Sequence, residues 1–359
     1  MNIQILMIDD DQKNTESIKK ILHGEKVGEH KILLETVNDF QSGKKKLKSH
    51  DYDLLILDIF KGKPSSSNPH RDGIKILRDI KKTTFIPVIF FSGLTKDVEN
   101  LKTDIIRVVT KTAGGNKALL DEITQIINTN IPLIKKKLKN HIDESMRSYF
   151  WDFVQRDWDN FSKNIDEVSL GYLLTRRIAK SFSKERIKQI LNDRKISEET
   201  IYPLEYYIYP PPNEILGTGD IISKNGKFYV VVTPSCDVAQ NKADFIHLAK
   251  CIPLKNFDEF KEYIANRSSK TKLDELKLIL KSNKKDRYFF LPQTHFIDNL
   301  VIDFQQMISI KINEAKKYKR VAKLDSPFSE SMTAYFLRHY NRVGIEDLNV
   351  EYIINKINT

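Results

Sequence analysis

The stretch 52-YDLLILDIF-60 sets the reading of the N-terminal third of the chain. Leu54–Leu57 is an unbroken apolar run closed on both sides by aspartate, Asp53 and Asp58. A run of this kind, too short for a helix and without alternation, reads as a strand buried on both faces. Four more runs behave alike, at residues 3–10, 31–37, 86–92 (IPVIFFS) and 105–110. Amphipathic stretches at residues 14–23 and 73–81 lie between them, and a third at 119–127 follows the last. Continuous apolar strands separated by helices predict a doubly wound α/β fold with a five-stranded parallel sheet over residues 1–130. Such a sheet places its site at the carboxyl ends of the strands.

The polar residues fall where that rule puts a site. Asp9 and Asp10 close the first strand, Asp58 the third, Ser92 the fourth, and Lys111 follows the fifth. Converging carboxylates repel one another unless a cation lies among them, and hard oxygen ligands without sulfur or imidazole suit Mg2+. An ammonium and a hydroxyl beside them would hold an anionic group. The set suits phosphoryl transfer onto an aspartate, where catalysis is chiefly positioning and charge neutralisation.

On these residues, together with the Asp72–Gly73 step that opens the next helix, the chain resembles the flavodoxin-like receiver domain of two-component response regulators. The resemblance implies that Asp58 is the phosphoacceptor, that Asp9, Asp10 and Asp58 hold Mg2+, that Ser92 and Lys111 contact the phosphoryl oxygens, and that a sensor histidine kinase is the phosphodonor. Three departures from the family pattern concern the switch. Residues 61–71 (KGKPSSSNPHR) form a longer connection than usual, rich in proline and serine. Thr112 follows Lys111 where proline is usual, and Val108 stands where an aromatic residue is common. The segment 92–111 is short, which predicts a reduced fourth helix.

At 359 residues the chain exceeds what one core usually supports, about 250 residues, so further domains are expected. Its composition, 40% hydrophobic and 30% charged, excludes wholesale disorder. No run approaches the ~18 apolar residues of a membrane span. Residues 1–11 read as a strand rather than a leader, so a cytoplasmic chain with free thiols at Cys236 and Cys251 is expected. The net charge of +11 could mark a phosphate-backbone partner, but a general coding bias towards Lys, Asn and Ile would also produce it.

Residues 131–205 read as a helical linker. Pro132 suits a helix start, and Leu138, Ile142, Met146, Tyr149 and Phe153 recur at three and four through residue 161. Phe150, Trp151, Val154 and Trp158 widen the stripe. The segment reads equally as a homodimerisation helix and as a packing helix of the second module. Two further helices are expected at 168–182 and 183–191.

Residues 206–359 read as an α+β output module. Residues 206–209 with Pro210, Pro211 and Pro212 suggest an extended hinge, and Asn225-Gly226 between apolar runs predicts a hairpin. Further strands at 245–251, 288–291 and 300–310 suggest a small antiparallel barrel-like sheet, followed by a helix with Ser326 as N-cap and Pro327 in its first turn. The run GDIISKNGKFYVVVTPSCD resembles the opening of small SH3-like barrels, including those of ribonuclease toxins. It is also similar to uncharacterised bacterial proteins carrying Pro-Ser-Cys-Asp and a later Ser-Pro-Phe. Cys236, Asp237, His247 and Cys251 are a candidate output site, since three soft ligands could hold zinc and a Cys–His pair could make a thiolate. Lone cysteines are more often apolar fillers. Arg320, Arg338 and Arg342, with neighbouring lysines and Tyr318, Phe336 and Tyr340, are candidate nucleic-acid contacts, or a solvated face over core aromatics. The expectation is a response regulator acting through an atypical output module; the competing readings are a constitutive binding protein and a cysteine-dependent enzyme.

Overall fold

The computed structural model describes residues 2–62, 71–159, 163, 166–191, 201–212, 215–284, 286–341 and 348–358. The chain divides into two compact units, residues 1–195 and 196–359.

In the first unit β1 (Asn2–Ile8), β3 (His30–Val37), β4 (Leu54–Leu57), β5 (Val88–Ser92) and β6 (Ile106–Thr110) are parallel, in the order β3-β1-β4-β5-β6. The sheet has a sixth strand beyond the five expected. β2 (Lys26–Val27) turns back on β3 through Gly28, at φ 58°, and pairs antiparallel at the edge. Two residues without a continuous apolar run leave no strand signal in the sequence.

Strand alternation divides the core into two layers. Ile3, Ile5, Met7, Leu54, Ile56, Ile89 and Phe91 face α1 (Gln12–Leu22) and α4 (Gly115–Asn128). Leu6, Ile8, Leu55, Leu57, Val88 and Phe90 face α2 (Phe40–Ser49) and α3 (Asp72–Thr83). Both layers bury side chains worth roughly 1.5–3 kcal/mol each, which explains why these strands show no polar face. Between β5 and β6 a single 3-10 turn, Glu99–Leu101, replaces a full helix, as the short segment predicted. The long connection at residues 61–71 lies mostly outside the described residues.

After Asn130, at φ 59°, α5 (Ile131–Ser148) begins with Pro132 in its first turn. Leu133 enters the core layer of α1 and α4, and Lys136 bonds the Asp53 carboxylate and the Asn2 carbonyl, each at 2.9 Å. The helix then widens into a π turn, Tyr149–Val154, and a 3-10 turn, Gln155–Asp157. With i→i+5 bonding, residues five apart share a face. Tyr149 and Val154 are accordingly both buried, against Leu170 and Leu174 of α6 (Glu167–Ser181). The stripe read at 3.6 periodicity therefore splits, and Met146, Phe150, Trp151, Phe153 and Trp158 are exposed. α7 (Lys184–Leu191) completes this layer.

The second unit holds a seven-stranded antiparallel sheet in the order β11-β12-β10-β9-β8-β13-β7. The strands are β7 (Tyr207–Ile208), β8 (Asp220–Lys224), β9 (Lys227–Val231), β10 (Phe245–Pro253), β11 (Tyr288–Leu291), β12 (Leu300–Lys311) and β13 (Lys319–Leu324). The β8–β9 turn is the one Asn-Gly encodes, with Asn225 at φ 51° and Gly226 at φ 72°. Among the described residues no ladder joins β11 to β7, so the barrel-like closure is not formed. Residues 206–209 are no free hinge: Tyr207 and Ile208 pair with β13. β13 hides in the sequence as part of the basic run, because a bulge between Arg320 and Ala322 breaks its alternation. Cores form on both faces, under α12 (Phe328–Tyr340) through Met332, and around Val238 of α8 (Ser235–Ala239). α9 (Asp258–Ala265), α10 (Lys270–Leu280), α11 (Ile312–Ala315) and α13 (Val350–Ile357) complete the unit. The opening of α12 differs from expectation. The Asp325 carbonyl takes the Phe328 and Ser329 N–H groups, and Ser326 makes no side-chain cap.

The junction of α3 with β4 yields a stability test. A Cβ on Gly73 would lie 2.0 Å from the Asp58 carbonyl oxygen, whereas one on Gly114 would meet open space. Gly73→Ala should cost about 2 kcal/mol or more in urea unfolding, while Gly114→Ala should stay within about 0.5 kcal/mol of wild type.

Candidate functional site

The site forms at the carboxyl edge of the first sheet because β1, β4 and β5 end in register there. Asp9 and Asp10 follow β1, Asp58 follows β4, Ser92 ends β5 and Lys111 follows β6. All five residues named from the sequence meet at this edge. Asp9 is completely buried, and Asp58 is 9% exposed. The Lys111 ammonium bridges them, with Nζ 2.7 Å from Asp9 Oδ2 and 2.5 Å from Asp58 Oδ2. Ser92 Oγ donates to Asp58 Oδ1 at 2.6 Å, and the Ile59 N–H donates to the same oxygen at 2.6 Å.

Asp10 is held differently, its Oδ2 accepting from the Gly62 N–H at 2.5 Å. Gly73 lets the first turn of α3 press against the Asp58 backbone. Two residues that sequence reasoning passed over complete the surroundings. Asn14 donates from Nδ2 to Asp9 Oδ2 at 2.5 Å, and Asn38 donates to the Asp9 carbonyl and to Thr15 Oγ1. Asn14 lies in the first turn of α1, where the signal available was only a polar helix entry.

One oxygen from each of Asp9, Asp10 and Asp58 lies within 4.8 Å of the others. Among the described residues this is the group of three acidic, histidine or cysteine side chains so arranged. Burial pushes the Asp9 carboxyl up from its ordinary pKa, against the opposing pull of Lys111, so its charged form lacks full compensation. Burial opposes the Lys111 charge, but the hydrogen bonds to Asp58 and Asp9 outweigh it and hold the ammonium above its usual range. Three hard oxygen donors, one of them an under-compensated buried carboxylate, fit a divalent cation such as Mg2+.

The candidate output residues do not assemble in this way. Cys236 is exposed on α8, with Asp237 Oδ1 3.6 Å from its sulfur. His247 is exposed on β10 and pairs through Nδ1 with Ser309 Oγ at 2.8 Å. Cys251 lies in the apolar core, where burial drives its thiol pKa upward. Alternation does put 247 and 251 on one side of β10, but position 251 is covered and 247 is open. Cys236, His247 and Cys251 form no ligating group among the described residues.

The basic candidates are engaged as well. Arg320 donates from Nε to the buried Asp220 at 2.7 Å and from Nη1 to the Pro212 carbonyl. Arg338 pairs with Asp286 at 3.1 Å and lies over the Tyr335 ring. Arg342 lies outside the described residues.

The Asp9 shift has a measurable sign. Because its folded pKa is raised above the ordinary carboxyl value of 3.8, the folded protein keeps this proton longer than the unfolded chain. Stability therefore falls as pH rises from 3.8 towards the folded pKa. In urea titrations with chelator present, that contribution to the pH slope should vanish in Asp9→Asn.

Against known proteins, the family model "Response regulator receiver domain" matches residues 5–124. A Francisella response regulator 1452 receiver domain is 23% identical, covering 36% of this chain and 99% of that one with a TM-score of 0.28. The response regulator TrrA of Thermotoga maritima, solved with Mg2+-BeF, is 23% identical over 34% of this chain and 98% of its own, with a TM-score of 0.27. A protein-glutamate methylesterase/protein-glutamine glutaminase of Methanococcoides burtonii is 23% identical over 184 residues, 48% of this chain. The chain spans 46% of that relative's length. With the acidic edge, the bridging lysine and the matched model on one module, the N-terminal part of this chain is a response-regulator receiver domain.

Proposed function

We propose that this protein is a response regulator phosphorylated on Asp58 in a Mg2+-dependent step, with a sensor histidine kinase as donor. In this reading residues 1–130 receive the signal, 131–205 transmit it and 206–359 give the output. The observation that carries it is the Lys111 ammonium shared between Asp58 and the buried Asp9, with Ser92 on the other Asp58 oxygen.

The carboxylate of Asp58 forms the new P–O bond as the donor's P–N bond breaks. Asp9, Asp10 and Asp58 would hold the cation, which supplies charge neutralisation for the phosphoryl oxygens. Lys111 and Ser92, already within hydrogen-bond reach of Asp58, are positioned to pass from its carboxylate to the phosphoryl oxygens as charge moves outward. That exchange of partners gives the phosphorylated state contacts the free state lacks, which is what a population shift requires. It also removes Lys111 from Asp9, so the change reaches the end of β1.

The expected readout is acyl-phosphate formation with acetyl phosphate and Mg2+. Wild type should label, Asp58→Asn should not, and chelation should abolish labelling. Lys111→Ala should retain aspartate chemistry but lose any phosphorylation-linked change in the protease-digestion pattern of the full chain. Equal labelling of wild type and Asp58→Asn would overturn the assignment.

A further inference from the structure

Away from the acidic edge, α5, α6 and α7 enclose a cleft of about 500 Å3 lined by His141, Glu144, Arg177, Lys180 and Arg186 together with four serine residues. A cleft of that volume is in the range that holds a small organic ligand. We propose that it binds a phosphate-bearing small molecule, giving the receiver unit a second input distinct from Asp58.

The charge balance carries the first part of the argument. Three cations face one carboxylate, and the pairing is incomplete. Arg186 stands 3.8 Å from Glu144, a loose contact, while Arg177 lies over the Tyr149 and Phe153 rings with centroids at 5.5 and 6.0 Å. Neither Arg177 nor Lys180 has a carboxylate within ion-pair distance among the described residues. Uncompensated cations that converge on one concave surface raise the local concentration of anions. Ser183 opens the eight-residue α7, its Oγ accepting the Arg186 N–H at 3.3 Å, so a helix start also faces this region.

His141 supplies the independent observation. It is 6% exposed, and its Nδ1 has no hydrogen-bond partner. Ser181 Oγ donates to the Ile178 carbonyl at 2.7 Å, so it accepts from His141 Nε2 at 2.8 Å, as the Ser181 carbonyl does at 3.2 Å. The ring proton is therefore on Nε2, and Nδ1 is a buried lone pair left over. A buried polar atom without a partner is costly unless something completes it. As an acceptor, Nδ1 would be completed by a protonated phosphate oxygen of the ligand. The Ser148 and Ser183 hydroxyls offer further donors that phosphate oxygens take.

Position gives the site a consequence. The cleft belongs to the helical layer whose first turns are fixed to the receiver through Leu133 and the Lys136–Asp53 pair. It adjoins the π turn, a distortion of the helix that concentrates at functional positions. A ligand bridging α5 to α6 and α7 would lock the layer that leads away from the phosphorylation unit.

The test uses the full chain and inorganic pyrophosphate in calorimetry, with tryptophan emission as a second readout, because both tryptophans of the chain, Trp151 and Trp158, follow α5. Saturable binding is expected in wild type. Lys180→Ala and Arg186→Gln, both exposed side chains, should each weaken it about tenfold. Arg176→Ala, the same loss of charge on α6 but outside the cleft, should leave it unchanged, and so should Asp58→Asn. Absence of saturable binding in wild type, or an equal loss in Arg176→Ala, would overturn the site. Because Asp58→Asn serves as an unaffected control, this outcome stands apart from that of the labelling experiment.

Discussion

Two carboxylates and one ammonium share a nearly water-free edge of the first sheet, and the rest of the receiver depends on how that charge is balanced. Taking a carboxylate out of water costs several kcal/mol, repaid only where an opposite charge and hydrogen bonds meet it. Asp9 and Asp58 share one counter-charge, Lys111, reaching across from the end of a non-adjacent strand, and it offsets the burial of Asp9 only in part. The strands must therefore end in register for the charges to meet, and the apolar layers above and below the sheet enforce the register. Core and site are thus coupled: the same alternation that sends Met7 and Phe91 to one layer and Ile8 and Phe90 to the other delivers Asp9 and Ser92 to a common edge.

That coupling explains what was legible in the sequence. Strands buried on both faces announce themselves as apolar runs, and polar residues at their ends stand out by contrast, so the five site residues could be read directly. What escaped reading was held by less periodic means. β2 has two residues and a glycine turn; Asn14 and Asn38 act through single amide contacts; β13 carries a bulge that scrambles its alternation. The π turn defeats a 3.6-residue template because it bonds at a different spacing, and the stripe that looked continuous is divided between a buried and an exposed side.

The second unit uses buried charge for a different purpose. Asp220 is fully buried; burial pushes its carboxyl up while Arg320 and the Gly217 N–H pull against it. Asp303 is equally covered, but the two hydrogen bonds from Arg287, with those from Gln305 and Gln306, overcome the burial and hold it below the usual range. Each pair ties neighbouring segments together in a way that wrong partners could not satisfy. Arginine in a basic run therefore need not face a ligand: Arg320 is part of the framework. Cysteine and histidine counts mislead in the same manner: chemical type was visible, but covering was not.

The attachment of α5 sets where this chain can be cut. The receiver match ends at residue 124, but Leu133 fills the core layer beneath α1 and α4, and Lys136 neutralises Asp53 at the start of β4. A fragment trimmed to the family boundary would leave an apolar hollow, and an Asp53 held by the Gln4 N–H but stripped of its ammonium, at the pole opposite Asp58. An isolated receiver with native solidity has to carry at least the first two turns of α5, so the module's physical boundary lies downstream of its homology boundary.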